Sequence, residues 1–464
     1  MKPSVPSAGL LPLYLELYDE RVPEARKVLE PFAAQVAAGL KQQGLDVVQT
    51  PVVRTRQEAE QALSLLEKRG VDAIVTLHLA YSPSLVSAEL LARTSLPVII
   101  CDTTMDYSFD QSTDINRLMY NHGIHGVQDL ASMLRRLGKY FEIAAGHLTE
   151  SDVLQRTAQF VRAAAAAKSL RSTRALRVGN AFVGMGDFSV PEEQLSRVLG
   201  IKVDQINPED LAPFAGRCTD AEIGAELARD RELFRVTASE EVHRRSVRVS
   251  LALRKCLEQG GYTAFSMNFG CFNSRQGPID TVPFLEASKA MSRGIGYAGE
   301  GDVLTASLVG ALARSFGETT FTEIFCPDWK GNTLFLSHMG EINPALSAGK
   351  AVLCEKPYSL SDTNNPTILA AACRPGPAVL VNLTPGPNAS FDLLLAPVLV
   401  LDDSTHPSMQ DQIRTWIRPG RPLGEFLETY SRHGGTHHSA LVLNGNLEAL
   451  KAFAAFVGFG CHVI

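Results

Sequence analysis

Residues 294–302 read GIGYAGEGD, and their reading decides whether the middle of the chain is a nucleotide fold. Gly294, Gly296 and Gly299 have the G-x-G-x-x-G spacing of a dinucleotide-binding loop. That fingerprint has physical meaning only after a strand and before a helix, in a βαβ unit where backbone N–H groups cradle phosphate. The following DVLTASLVGALARSF is helical in pattern, but the preceding PFLEASKAMSRG is an amphipathic helix pattern and not a strand. The stretch also lies far from the first βα turn. It is therefore read as a glycine-rich connection between helices whose purpose is to present the one acid set among the glycines, Glu300.

Outward from this loop, the chain has three textures. Up to residue 180, β-rich runs (LPLYLEL, DVVQTPVV, DAIVTLHL, LPVIICDT, YFEIAAGHL) alternate with helical patterns, one of which ends at Gly44. Such alternation predicts βαβ units and a doubly wound parallel sheet. Ligands of these sheets sit at the carboxyl ends of strands, so HLAYSP (78–83), CDTTMD (101–106) and NHGIHG (121–126) are candidate rim loops. A second α/β domain is expected over 181–328, carrying Glu300 and Glu323. From 329 to 464 the helical patterns thin, and Pro/Gly-punctuated β runs predict an antiparallel, barrel-like domain carrying His338 and His438. The expected class is α/β: two doubly wound domains, then a β-barrel-like one.

Composition narrows the function. A chain of 464 residues with net charge −6 and no concentrated basic face is poorly suited to nucleic acid. The most basic stretch, HRRSVRVSLALRK (243–255), has apolar residues at helical spacing and reads as a solvated helix face. The N-terminus lacks a signal-peptide pattern, and no apolar run reaches the roughly 18 residues of a membrane span. Eight scattered cysteines without a C-x-x-C pair read as reduced thiols, so a cytoplasmic location is expected.

Residues of matching chemistry follow Glu300: Glu323 in FTEIFCPDW, His338 in FLSHMGEINP, and His437–His438 in HGGTHHSAL. Two carboxylates with two imidazoles suit Mn2+, Co2+, Fe2+ or Mg2+, and the absence of thiolates speaks against structural zinc. Spacing alone cannot join residues more than a hundred positions apart. The runs GIGYAGEGDVLTASLVGAL…FTEIFCPDWKGNTLFLSHMGEINP and RTWIRP…FLETYSRHGGTHHSAL do so, because they resemble L-arabinose isomerases of the L-arabinose/L-fucose isomerase superfamily.

The resemblance implies a divalent metal, usually Mn2+, and a homotrimer or homohexamer with active sites between subunits. It also implies a small-molecule sugar as substrate and aldose–ketose isomerisation through a cis-enediolate. Glu300 and Glu323 match the two carboxylate ligands that double as acid and base, and His338 matches the first histidine ligand. One of His437 and His438 matches the second; His438 is favoured, leaving His437 to contact the sugar. Metal-dependent epimerases and lyases could use the same intermediate, whereas a sugar-binding protein would need no second carboxylate.

The chain also departs from the family. Where a Ser-Gln-His-Leu-Tyr-Gly stretch is expected, YLELYDE keeps Leu17 and Tyr18 but places Leu15 at the sugar-binding Gln. NHGIHG keeps His125 and puts His122 at another Gln, where it could donate to a hydroxyl or, protonated, meet an anionic substituent. A Thr-rich stretch is replaced by SMNFGCFN, which contains Met267. Leu15, Tyr18, His122, His125 and Met267 are thus expected substrate contacts. Their polar swaps point to a sugar other than L-arabinose, since a site built for one hydroxyl rejects sugars lacking it.

Overall fold

A computed structural model describes residues 5–464, which fall into two compact units. The first comprises residues up to 168 together with 451–456. Its core is a parallel sheet of β1 (Ser7–Leu13), β2 (Asp46–Gln49), β3 (Ala73–His78), β4 (Val98–Asp102) and β5 (Phe141–Ala145), in the order β2-β1-β3-β4-β5. β1 and β3 are buried along nearly their whole length, as apolar runs between crossover helices should be. The helix Pro23–Gln42 ends at Gly44 with φ 80°, and a Thr55–Glu58 capping box starts the helix Arg56–Arg69. Strand order turns between β1 and β3, the place where such sheets hold ligands. Leu15 and Tyr18 follow β1, and HLAYSP spans the end of β3.

The second unit spans 169–450 and 457–464. Along it run β6 (Arg174–Val178), β7 (Lys202–Ile206), β8 (Arg235–Val236), β9 (Ala264–Met267), β10 (Gly296–Gly299), β11 (Thr319–Asp328), β12 (Thr333–Ser337), β13 (Val352–Glu355), β14 (Thr367–Ala370), β15 (Gly376–Pro385), β16 (Phe391–Val400), β17 (Thr415–Pro419), β18 (His438–Leu443) and β19 (Gly460–Val463). A parallel sheet is ordered β10-β9-β6-β7, and β14-β13-β8 form a small separate sheet. β15-β18-β11-β12-β17-β16 pair antiparallel, and β16 returns to β15, closing a six-stranded barrel to which β19 adds in parallel. The expected class is the observed one.

One local expectation changes. The glycine stretch is not a connection between helices, because residues 296–299 form the edge strand β10 between the helices Phe284–Ser292 and Val303–Phe316. Its glycines answer to packing. A Cβ on Gly296 would lie 2.0 Å from the Ala306 carbonyl oxygen, and one on Gly299 would lie 2.5 Å from the His338 ring. The basic stretch 243–255 lies in the helix Glu240–Gly260, where Arg245 pairs with Glu241 and Asp280, and Arg254 with Glu226 and Glu286.

Candidate metal centre and active site

The second unit gathers the candidate ligands from four strands or strand ends. Glu300 follows β10, with its N–H donating to Met267 O (2.8 Å) and its carbonyl accepting from Phe182 N (2.9 Å). It has φ 65°, a left-handed conformation unusual for a residue with a side chain, and Gly301 continues it at φ 88°. A Cβ on Gly301 would come within 2.6 Å of the Ala181 backbone, so glycine is required there. Glu323 stands on barrel strand β11, in register with His438 on β18 and with Ser337 on β12, directly before His338. Antiparallel pairing thus brings Glu323, His338 and His438 to one end of the barrel.

The two histidines are held alike. His338 Nδ1 donates to Glu341 Oε2 (2.7 Å), and His438 Nδ1 donates to Asp302 Oδ2 (3.0 Å). Glu341 is itself fixed by Tyr297 Oη (2.5 Å) and Gly340 N (2.7 Å). Asp302 uses its other oxygen to cap the helix Val303–Phe316, accepting from Thr305 N (2.8 Å). Both imidazoles are buried, and in both the Nε2 atom has no hydrogen-bond partner among the described residues. His438 Nε2 lies 3.5 Å from Glu300 Oε2, and His338 Nε2 lies 4.0 Å from Glu323 Oε2. Ligand atoms of Glu323, His338 and His438 fall within 4.8 Å of one another, as do those of Glu300, His437 and His438.

Two buried, orphaned nitrogens facing two carboxylates fit a cation. Burying an unpartnered polar atom costs free energy, and a carboxylate on Nδ1 is how proteins aim the other nitrogen of a ligand histidine. Burial would raise the Glu300 carboxyl, but the His437 hydrogen bond and the charges of the three histidines together lower it. Burial prevails at Glu323 and raises it. Burial would lower His338, but the Glu341 carboxylate raises it.

His437 is held differently. Its backbone N–H (3.0 Å) and Nδ1 (2.6 Å) both donate to Asp187 Oδ2, and its Nε2 lies 3.5 Å from Glu300 Oε2. Burial opposes charge on this ring, but the Asp187 and Glu300 hydrogen bonds win and push it up to about 10. Phe188 stacks on His438 with centroids 5.3 Å apart.

Three domain families match the chain: L-arabinose isomerase N-terminal domain over residues 16–172, central domain over 184–316 and C-terminal domain over 318–460. The chain belongs to the L-arabinose isomerase family. Similar proteins include L-arabinose isomerase of Herpetosiphon aurantiacus, 26% identical over 94% of this chain and 90% of that one. That of Geobacillus thermodenitrificans is 24% identical over 97% and 92%, and that of Acidothermus cellulolyticus 27% over 84% and 79%. A solute-binding protein of Agrobacterium vitis, solved with alpha-D-tagatopyranose, has 12% identity and covers 67% of this chain and 89% of that chain, at a TM-score of 0.17, from which no fold relationship follows. As a member of this family the protein is a sugar aldose–ketose isomerase. No helix among the described residues is long and apolar enough to cross a membrane.

The other expected contacts of this L-arabinose isomerase relative are placed as follows. Met267 is buried at the end of β9, and its carbonyl steadies Glu300. In the N-terminal unit, half-buried Leu15 opens the short helix Glu16–Arg21. Tyr18 and His122 join through Oη and Nε2 (3.0 Å); the His122 ring lies 5.1 Å from His125, and the His125 ring 4.9 Å from Tyr81. His122 Nδ1 donates to Met119 O (3.1 Å), so Nε2 of the neutral ring accepts from Tyr18. Both nitrogens are occupied and burial lowers the ring's pKa, which leaves little for the hydroxyl or anion first assigned to His122. The exposed rim imidazole is His125. Gly123 and Gly126 of the same motif pack on His78, within 2.6 Å of its atoms were a Cβ present.

Asp187, Asp302 and Glu341 were not found by sequence reasoning. Two of them had a signal: Asp302 is two residues from Glu300, and Glu341 three from His338. A ligand histidine commonly donates its other N–H to a carboxylate, so acids close in sequence are candidates for that role. Asp187 lies 250 residues from its partner and carried none.

Proposed function

We propose that this isomerase depends on a divalent cation, Mn2+ or a similar ion such as Co2+, Mg2+ or Fe2+, held by Glu300, Glu323, His338 and His438. The observation carrying this is the pair of buried, unpartnered Nε2 atoms on His338 and His438, aimed at the space that Glu300 and Glu323 face. When bound, the cation would supply Lewis-acid stabilisation to the charge that develops on adjacent sugar oxygens. Glu300 and Glu323 divide the proton traffic. Glu323 accepts no hydrogen bond from the described residues and its side chain is 22% exposed, so one carboxylate oxygen is left to take the carbon-bound proton while the other would hold the cation. Glu300, 3.5 Å from two imidazoles, serves the proton exchanged between oxygens, and His437 Nε2 meets the sugar beside it.

The substrate is a free sugar other than L-arabinose. Leu15 and Met267 support this, because neither side chain can replace a polar group that reads a hydroxyl. Leu15, Tyr18 and His125 act as sugar contacts, with His122 fixing Tyr18. The enzyme works in the cytoplasm as a homotrimer or homohexamer in which the N-terminal unit serves a neighbour's site. Incubating a panel of aldoses and ketoses with the Mn2+-loaded protein in D2O, followed by proton NMR, tests the reading. A new ketose with solvent deuterium incorporated is expected, and L-arabinose as the best substrate would overturn the specificity assignment.

A further inference from the structure

The segment 181–190, AFVGMGDFSV, closes over the histidine pair from the start of the second unit. Gly184 and Gly186 have open space where a Cβ would stand, and Val183 is 91% exposed. Phe182 anchors the start of the segment, donating its N–H to Glu300 O (2.9 Å) with its ring 5.8 Å from Phe269, and two further residues tie it to the histidines. Asp187 takes both hydrogen bonds from His437, and Phe188, 4% exposed, lies against the rings of His437 (5.5 Å) and His438 (5.3 Å).

We infer that Asp187 is a positioning residue of the isomerase reaction, fixing the His437 ring so that Nε2 is turned to Glu300 and the sugar. The geometry carries this. An imidazole is free to rotate about its side-chain bonds. One carboxylate oxygen accepting from both the backbone N–H and Nδ1 of His437 removes that freedom. Nδ1 becomes the donor that faces away, and Nε2, 3.5 Å from Glu300 Oε2, is the nitrogen left for the site. The apolar face of Phe188 blocks the alternative ring positions on that side. The role rests on the reading of His437 as a sugar contact.

A double-mutant cycle tests it, using the aldose that the wild type turns over fastest in a panel including L-arabinose. Asp187→Ala and His437→Ala should each lower kcat/KM by about 10²-fold, as misplacing a catalytic group does. The double variant should be no worse than His437→Ala alone, because Asp187 acts only through that ring. Asp187→Asn, whose amide oxygen still accepts both bonds, should recover about tenfold of the Asp187→Ala loss, since neutral acceptors keep direction at reduced strength. Melting temperature and Mn2+ affinity should stay near wild type throughout. Undiminished activity of His437→Ala would overturn the reading of His437 itself. Impaired His437→Ala with either an active Asp187→Ala or an additive double variant would overturn the role of Asp187 alone.

Discussion

At the scale of single residues, the site depends on groups whose surroundings leave one atom free. His338 and His438 each spend Nδ1 on a carboxylate and keep Nε2 unpartnered, while Glu323 accepts no bond from the described residues. Glu300→Gln and Glu323→Gln should each cut turnover by about 10²–10⁴-fold with an unchanged circular dichroism spectrum, because a proton-transfer group is lost and no core is disturbed. His338→Ala and His438→Ala should chiefly weaken Mn2+ binding in a titration, whereas His437→Ala should leave it near wild type. Loss of the metal in His437→Ala with retention in His438→Ala would exchange their roles. A different residue adds acid sensitivity between pH 6.5 and 4. His78 is buried with both nitrogens unpartnered, and burial lowers it to about 4. The unfolded chain therefore binds a proton that the folded one refuses, so stability is full above about 6.5 and is lost as pH falls towards 4, by up to roughly 3 kcal/mol. Urea unfolding of wild type and His78→Asn between pH 7 and 4 should show a shallower decline in the variant.

At the scale of elements, the glycines of residues 294–302 show what was legible and what was not. Glu300 stood out as an acid in a glycine context, and it lies in the structure as a left-handed residue at the end of a strand. β10 itself was hidden, because four residues containing two glycines carry neither β-propensity nor alternation. Their small size serves contacts made far away: Gly299 faces His338 and Gly296 faces the helix Val303–Phe316. The two substitutions should accordingly separate. Gly296→Ala meets backbone and should cost stability, about 1–3 kcal/mol or more by overpacking, seen in chemical denaturation. Gly299→Ala pushes on an imidazole and should lower Mn2+ affinity more than stability. Asp302 joins element to site, since one carboxylate caps a helix and holds His438. Asp302→Ala should lose about 0.5–2 kcal/mol of stability through the cap and 10–100-fold in metal affinity through the imidazole, roughly. A variant with lost stability and intact metal binding would separate the two roles.

At the scale of the whole molecule, alternating β and helical patterns before residue 180 and Pro/Gly-broken β runs after 330 foretold parallel sheets followed by a barrel, since period and punctuation are local properties. The pairing of β11 with β18, more than a hundred residues apart, and the meeting of Asp187 with His437 are long-range contacts that no local pattern encodes. The N-terminal rim divides the same way. Leu15 and His122 were visible as departures from a family pattern and His125 as a residue it keeps, but the Tyr18–His122 bond that occupies His122 was not. If that rim reads the sugar, Leu15→Gln with His122→Gln should shift kcat/KM ratios among aldoses by about 1–3 kcal/mol per contact. Metal affinity should not change, and an unaltered ranking would leave the rim a structural role.

The central claim is that Glu300, Glu323, His338 and His438 form one metal-dependent isomerase site. The most direct measurement is turnover of the preferred aldose in D2O, followed by proton NMR, with protein stripped by EDTA and then given one equivalent of Mn2+ per chain. The account predicts no ketose from the stripped protein and recovery on adding Mn2+, with no recovery in Glu323→Gln. Full turnover by the stripped protein would contradict it.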